Sequence, residues 1–457
     1  MKALARGILD CEWLILAVMV AIIWASDFNR VWVLAFWLPL LGARWVVERR
    51  LWRRTPLDIW FALWFLLGAI SLLAAPFRYA PLPLGGSLFL LPTAYTLIAL
   101  GRPLLGLILV TSFASMAERA RRVSGLLLVS SALALLIGIL GLLSAQYTVK
   151  SAVLRPIIDL LPQLRGFPGA EGGFNVNEIA GAMAWFTPLV AGLGLYYWRE
   201  RRAETSRSAW ALRVLTPIAF AVLWAALFLG QSRFALVGVL PALAALVWLL
   251  LRGRWRWIGL ALVALFIALE AMVYFGPTGS AEQVEQLASN NEISSSSRLE
   301  MWSSGLAILR DYPLTGAGVN MYRAQPVRNR YPVPAYANGI LPHAHNEWLQ
   351  AATDLGLPGL VVFLGFQAAA GWVLWKVWRR GDPRDRAVAV AVAAGLLAHM
   401  VYGMGDAITL WDRFAFGYWW MIGLAAAQYA LVASRAQPEG VAAERMPPTG
   451  GLAGTKH

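Results

Sequence analysis

Apolar runs long enough to cross a bilayer recur along this chain, and they limit its fold more than any other feature. They fall roughly at 11–26, 31–47, 57–75, 86–116, 123–143, 178–198, 213–230, 233–251, 256–276, 356–375, 387–404 and 413–434. An unsatisfied backbone group is costly in hydrocarbon, so runs of this length are expected to be helices that close their own hydrogen bonds. The expected fold is an all-α polytopic membrane protein with about 12 transmembrane helices. A hydrophobic fraction of 59% fits that fold and not a soluble core, and the 23 tryptophans suit the headgroup level. Cys11 is the single cysteine, which excludes an intramolecular disulfide.

Charge supplies the topology. Every second connection is basic: Glu48–Arg54, Glu118–Arg122, Arg199–Arg202, Arg252–Arg256 and Arg379–Arg386, whereas the short connections between them carry Arg30, Arg78, Arg233 and Arg413. The positive-inside rule then places both termini in the cytoplasm and accounts for the net charge of +14 without nucleic acid. The long run 86–116 contains Pro92, Arg102 and Pro103; read as one kinked span it preserves this alternation, and read as two it reverses everything after it. No cleavable leader is evident, and the first run reads as a retained span. Residues 1–276 thus carry helices 1–9 with a moderate outside loop at 144–177. A large, partly helical outside loop occupies 277–355, helices 10–12 occupy 356–434, and a Pro-, Gly- and Ala-rich tail expected to be disordered and cytoplasmic occupies 435–457.

The large outside loop draws attention because most other outside connections are minimal. Leu299, Trp302, Leu306 and Leu309 recur at helical spacing, a stripe that would rest on the membrane surface or on the other helices. Pro326, Pro332 and Pro334 argue against regular helix in the piece that follows. The sequence Asn346–Leu355 reads as a helix stopped by Gly356. His345 falls at its N-terminus, where the helix dipole disfavours imidazolium and so suits a general base; for an arbitrary histidine, capping or packing is the commoner role. His343, two residues earlier, would share its side in an extended segment. Zinc is weakly signalled, because a spacing of i, i+2 without a third ligand is a poor metal signature, and no metal is expected.

Arg233 sits in Gly230-Gln-Ser-Arg-Phe234, at or just inside the bilayer boundary, and Arg298 opens the loop helix, where its charge opposes the dipole. Both positions call for an anionic partner, and a guanidinium fork suits phosphate oxygens. Snorkelling to headgroups is the ordinary explanation for interfacial arginines and is the stronger one for Arg78, Arg310, Arg323, Arg328 and Arg330. The group Asn175-Val-Asn-Glu178 could bind sugar hydroxyls, although helix capping explains it almost as well. There is no Walker A sequence, no Asp-x-Asp in an outside loop and no Gly-x-Ser-x-Gly, so nucleotide hydrolysis, a metal-held sugar nucleotide and a serine hydrolase are not signalled. A transporter or flippase of lipid-linked or anionic solutes is the rival of a different class. It predicts polar groups about a midplane site and often an internal repeat, whereas here they gather on one face, with Glu270 and Arg102 the main exceptions.

These residues resemble the O-antigen ligase and polymerase superfamily of bacterial membrane glycosyltransferases. Its motif is His, then Asn, Ser or Gln, nine arbitrary residues, Gly, two residues, and Gly, Thr or Tyr; His345, Asn346, Gly356 and Gly359 satisfy it. Gln231-Ser-Arg233, Ser297-Arg298, Trp302 and Pro313–Gly318 also resemble family segments, over about residues 225–375. The resemblance implies inverting, metal-independent transfer of a preassembled glycan from undecaprenyl pyrophosphate on the periplasmic face of the bacterial inner membrane, with no cofactor. It implies His345 as catalytic base, Arg233 and Arg298 as ligands of the donor pyrophosphate, and His343, Asn346 and Gln231 as possible supporting residues. The acceptor expected is a sugar hydroxyl of lipid A–core, which makes an O-antigen ligase; a polymerase or a protein O-oligosaccharyltransferase of the same superfamily is the alternative. Membrane lipids are the remaining expected partners, nucleic acid is not one, and a monomer is expected.

Overall fold

The computed structural model describes residues 1–27, 30–78, 92–147, 154–200, 202–275, 297–336, 341 and 343–436. The chain begins with α1 (Lys2–Asp10), α2 (Glu12–Ala25), a 3-10 turn at Val31–Phe36, α3 (Trp37–Glu48), α4 (Asp58–Ala74), α5 (Pro92–Ala120) and α6 (Ser124–Ser144). After α7 (Arg155–Asp159) come α8 (Val176–Arg199), α9 (Arg207–Gly230), α10 (Arg233–Leu250) and α11 (Arg254–Phe275). The outer layer contains α12 (297–311) and α13 (Gln325–Arg330), and the chain closes with α14 (Glu347–Arg380), α15 (Pro383–Tyr402) and α16 (Ala415–Arg435). Strands β1 (Ala145–Gln146) and β2 (Phe174–Asn175) pair in parallel and pin the ends of the 144–177 loop together.

Among the described residues, nine helices are long and apolar enough to cross a membrane, and the α1–α2 pair, bent by 52°, is a candidate tenth. The chain is a helical, multi-pass membrane protein. The expectation of twelve spans is met less sharply than that of helices: α4 is shorter, and α16, rich in Trp, Tyr and Gly, is not among the nine. Burial along almost all of α16 makes it a central helix screened from lipid. The long fourth run is one helix through Pro103 in its described part, Pro92–Ala120, and is not split. The tail from residue 437 lies outside the described residues, as do 276–296 of the large loop.

Packing follows small residues and paired charges. α5 lies along α16 and α6 along α9, while α8 sits against α9, α10 and α15. A Cβ at Gly238 of α10 would strike the carbonyl of Ala398 in α15, so only glycine allows that approach. Glu12 pairs with Arg44 and Arg119, and Arg44 also donates to Ser112 Oγ at 2.8 Å, as ionisable groups within spans do. Two of the basic connections meet: Arg50 and Arg53 reach Glu118 at 2.5 and 3.1 Å, and Arg119 reaches Glu48 at 2.8 Å. Arg384, in a third, donates to Ser124 Oγ at 2.9 Å. The alternation of charge along the sequence is, at these connections, a cluster in space.

The outer layer has its own small core of Met301, Ile308, Met321, Tyr322, Val327 and Tyr331. One expectation is corrected here, that of the prolines. The protein-facing side of α12 is Met301, Ser304, Gly305 and Ile308, whereas Leu299 and Leu306 are exposed, because Leu349 of α14 fits over Gly305. Pro326 does not prevent helix: it opens α13 in the first turn, where its missing N–H costs nothing. Gly356 breaks α14 at φ 70°, ψ −169°, and the helix then continues into the span. A Cβ there would lie 2.5 Å from Leu314 C and 2.6 Å from Pro313 O, while Leu357 N–H donates to Pro313 O at 2.7 Å. Gly356→Ala is therefore expected to cost about 1–3 kcal/mol. Thermal unfolding in detergent checks this, with little change for Leu357→Ala at an exposed position.

Candidate active site

Three segments far apart in sequence meet at the start of α14: residues 343–347, the 403–414 connection between α15 and α16, and the first turn of α12. Asn346 caps α14, its Oδ1 accepting from Trp348 N–H and Leu349 N–H at 3.0 Å each. Its amide donates to Met404 O at 3.2 Å, so the same side chain ties helix to connection. Glu347, buried at 1% exposure, takes a stronger hold. Its N–H donates to Gly403 O at 2.8 Å, and its Oε1 accepts from Thr409 N–H at 2.9 Å, Thr409 Oγ1 at 2.5 Å and Ile408 N–H at 3.2 Å. His399 Nε2 lies 2.9 Å from the same oxygen, and its ring stacks on Trp185 at 3.7 Å. A buried carboxylate with this many donors is satisfied in the way burial demands.

That clasp brings Asp406 to the histidines. His345 has φ 47°, a left-handed turn that sets its ring 4.2 Å from that of His343. His345 N–H donates to His343 Nδ1 at 3.0 Å, so in the neutral ring the proton sits on Nε2, which faces Asp406 Oδ1 at 3.7 Å. His345 Nδ1 lies 3.1 Å from the same oxygen. That is ion-pair distance without hydrogen-bond geometry; the carboxylate favours the tautomer protonated at Nδ1, which leaves Nε2 of His345 as the basic nitrogen. His343 is buried against Trp411. Burial, then the charge of His345, then Arg323 and Arg298, push the His343 ring well below the ordinary histidine range and keep it neutral. Burial alone would raise Asp406, but His345, His343 and the Ala407 N–H outweigh it and hold the carboxyl below the ordinary carboxylate range.

Asp406 is the third potential metal donor that the sequence did not reveal, since all three groups lie within 4.8 Å of one another. The hydrogen bonds argue against a resident ion. With Nδ1 of His343 occupied and its Nε2 protonated, that ring has no lone pair to give, and two donors remain rather than three.

The arginines stand beside this group. Arg298 Nε donates to Gly405 O at 3.1 Å, and its guanidinium lies 5.4 Å from the Phe234 ring. Phe234 follows Arg233, the exposed first residue of α10, so both arginines border the Asp406 connection. Gln231 is buried and ends α9 in a left-handed turn at φ 51°, which makes it part of the framework. Asn175 likewise caps α8, accepting from Asn177 N–H at 2.8 Å. Arg323 lies 5.1 Å from the Trp411 ring, and Arg102 donates to the carbonyls of Trp411 and Asp412. Asp406, Glu347 and His399 were not singled out in the sequence; the available signal was the polar break Met404-Gly-Asp406 between two apolar runs.

Asp412 is buried on the same connection, and burial followed by the charge of Asp27 raises its carboxyl above the ordinary range. An acid raised on folding costs stability once pH exceeds its unfolded value near ~4. Asp412→Asn is therefore expected to raise the melting temperature at pH 8 and to leave it unchanged at pH 4, while the bond from Phe414 N–H is retained.

The model of the O-antigen ligase family matches residues 218–364, a stretch that holds Gln231, Arg233, Arg298, His343, His345 and Asn346 and stops short of His399 and Asp406. Comparison with curated proteins gives no match. The matched stretch, 218–364, carries the motif on the helix start that the site is built around, and over it the chain is similar to the O-antigen ligase family.

Proposed function

We propose that this protein transfers a preassembled glycan from undecaprenyl pyrophosphate to a sugar hydroxyl of lipid A–core, with inversion and without a metal. One observation carries this reading: Asp406 faces Nδ1 of His345 and so leaves Nε2 to act as base beside two arginines. His345 Nε2 takes the proton of the acceptor hydroxyl as its oxygen attacks the anomeric carbon. The bond from that carbon to the pyrophosphate oxygen breaks, and its electron pair leaves with the pyrophosphate. Arg298 and Arg233 meet the charge that develops there. His343, whose Nε2 stands 3.7 Å from the same oxygen of Asp406, packs beside the pair as a neutral ring.

Purified protein with a pyrophosphate-linked undecaprenyl glycan, lipid A–core and EDTA, without nucleotide, is expected to give glycan-bearing lipid A. Donor elongated on itself makes the protein a polymerase instead, and absence of transfer to any acceptor returns the transporter reading. Arg298→Ala is expected to weaken donor binding by about tenfold or more, since a hydrogen bond to a charged group contributes roughly 1.5–3 kcal/mol. Titration of the donor against the variant measures this, with Arg298→Lys recovering part of the loss as a point charge without the fork.

A further inference from the structure

A cavity of about 1180 Å³ opens between α8, α9, α10 and α11. It is larger than the ~300–1,000 Å³ of ordinary ligand pockets. Val190, Thr216, Phe220, Leu246, Ile258 and Phe266 line its apolar part, and Arg199, Arg202 and Arg252 stand at its rim with Glu200. α8 and α10 begin beside the histidines and run away from them, since Asn177 O accepts from Tyr402 at the start of α8 and Phe234 meets Arg298 at the start of α10. The rim residues follow the far ends of these helices, so this cavity opens on the face opposite the candidate active site.

The depth identifies the occupant. From Val190 to Arg199 along α8 is a rise of ~14 Å, about half of a ~30 Å hydrocarbon core, or one leaflet. α11 stands off the bundle with only 11% of its span buried, so the cavity is reached from the side, through lipid. Trp198 and Trp255 sit at its mouth with exposures of 52% and 59%, where interfacial indoles belong. Arg199 is partly neutralised by Glu200 at 2.8 Å, whereas Arg202 and Arg252 add positive charge at headgroup level. We propose that an anionic glycerophospholipid of this leaflet binds here, with its acyl chains between α8 and α11 and its phosphate at Arg202 and Arg252. This site is separate from the donor site and does not rest on the reaction proposed above.

Full-length protein is purified into detergent from bilayers of phosphatidylglycerol and phosphatidylcholine, and the retained lipid is identified by native mass spectrometry. About one phosphatidylglycerol per chain is expected on the wild type, with a rise in melting temperature that phosphatidylcholine does not give. Arg202→Gln with Arg252→Gln is expected to lower retention about twenty-five-fold, from roughly a factor of five for each arginine, and to abolish the rise. Arg207→Gln, nearby but outside the lining, is expected to leave both unchanged. Equal retention of phosphatidylcholine, undiminished phosphatidylglycerol on the double variant, or an undecaprenyl lipid in its place would overturn the proposal.

Discussion

His345→Ala is expected to slow glycan transfer by roughly 10²–10⁴-fold while donor affinity stays close to wild type. The ring is only partly buried and lies at the mouth of the site, so its loss leaves no large cavity and the protein should purify normally. The split between kcat and KM is the informative quantity. A base acting in the chemical step lowers kcat, whereas a residue that merely holds the donor raises KM. Retained transfer in the alanine variant would end the proposed mechanism, as would a loss confined to donor affinity. His345→Gln, which keeps a polar group but no basic nitrogen, should be as slow as alanine.

The second large effect belongs to Asp406. Asp406→Asn should lower kcat by about 10²-fold with little change in donor KM, since a neutral amide no longer supplies the charge that favours a proton on Nδ1 of His345. Asp406 orients and does not touch substrate, so it is a positioning residue, and its pH behaviour separates this role from a structural one. Its carboxyl lies below the ordinary range, so its contribution to stability is complete above the unfolded value near ~4 and is lost only as pH falls through the lower folded value. The wild-type activity profile between pH 5 and 9 should therefore contain no inflection from Asp406. Asp406→Glu, which retains charge with a longer reach, should restore part of the rate; a variant that is inactive because it is unfolded would not be rescued this way.

Much of the scaffold was legible because bilayer physics is written locally. Apolar runs, basic connections and the unsplit helix across Pro103 all follow from neighbours in sequence. His345, Asn346 and Gly356 were legible too, since a cap and a break at fixed spacing describe one helix start. The partners of that helix start were not. Asp406 lies 61 residues beyond His345 and reaches it only because Glu347 binds the 403–414 connection, a tertiary event without a sequence signal. Periodicity located the apolar stripe of α12, while the inward side is set by Leu349 against Gly305, a tertiary contact. Proline spacing was over-read at Pro326, where position within the first turn mattered more than the residue type.

Glu347 sets how the site is held as well as where it lies. The segment of His345 and the connection of Asp406 are locked to one another through Glu347 by framework groups, Thr409, Ile408 and His399. The surface above them is a separately packed layer with its own core. A chimera that exchanges the 297–336 layer but keeps Arg298 should, on the proposed mechanism, change what is joined without changing how the bond is made.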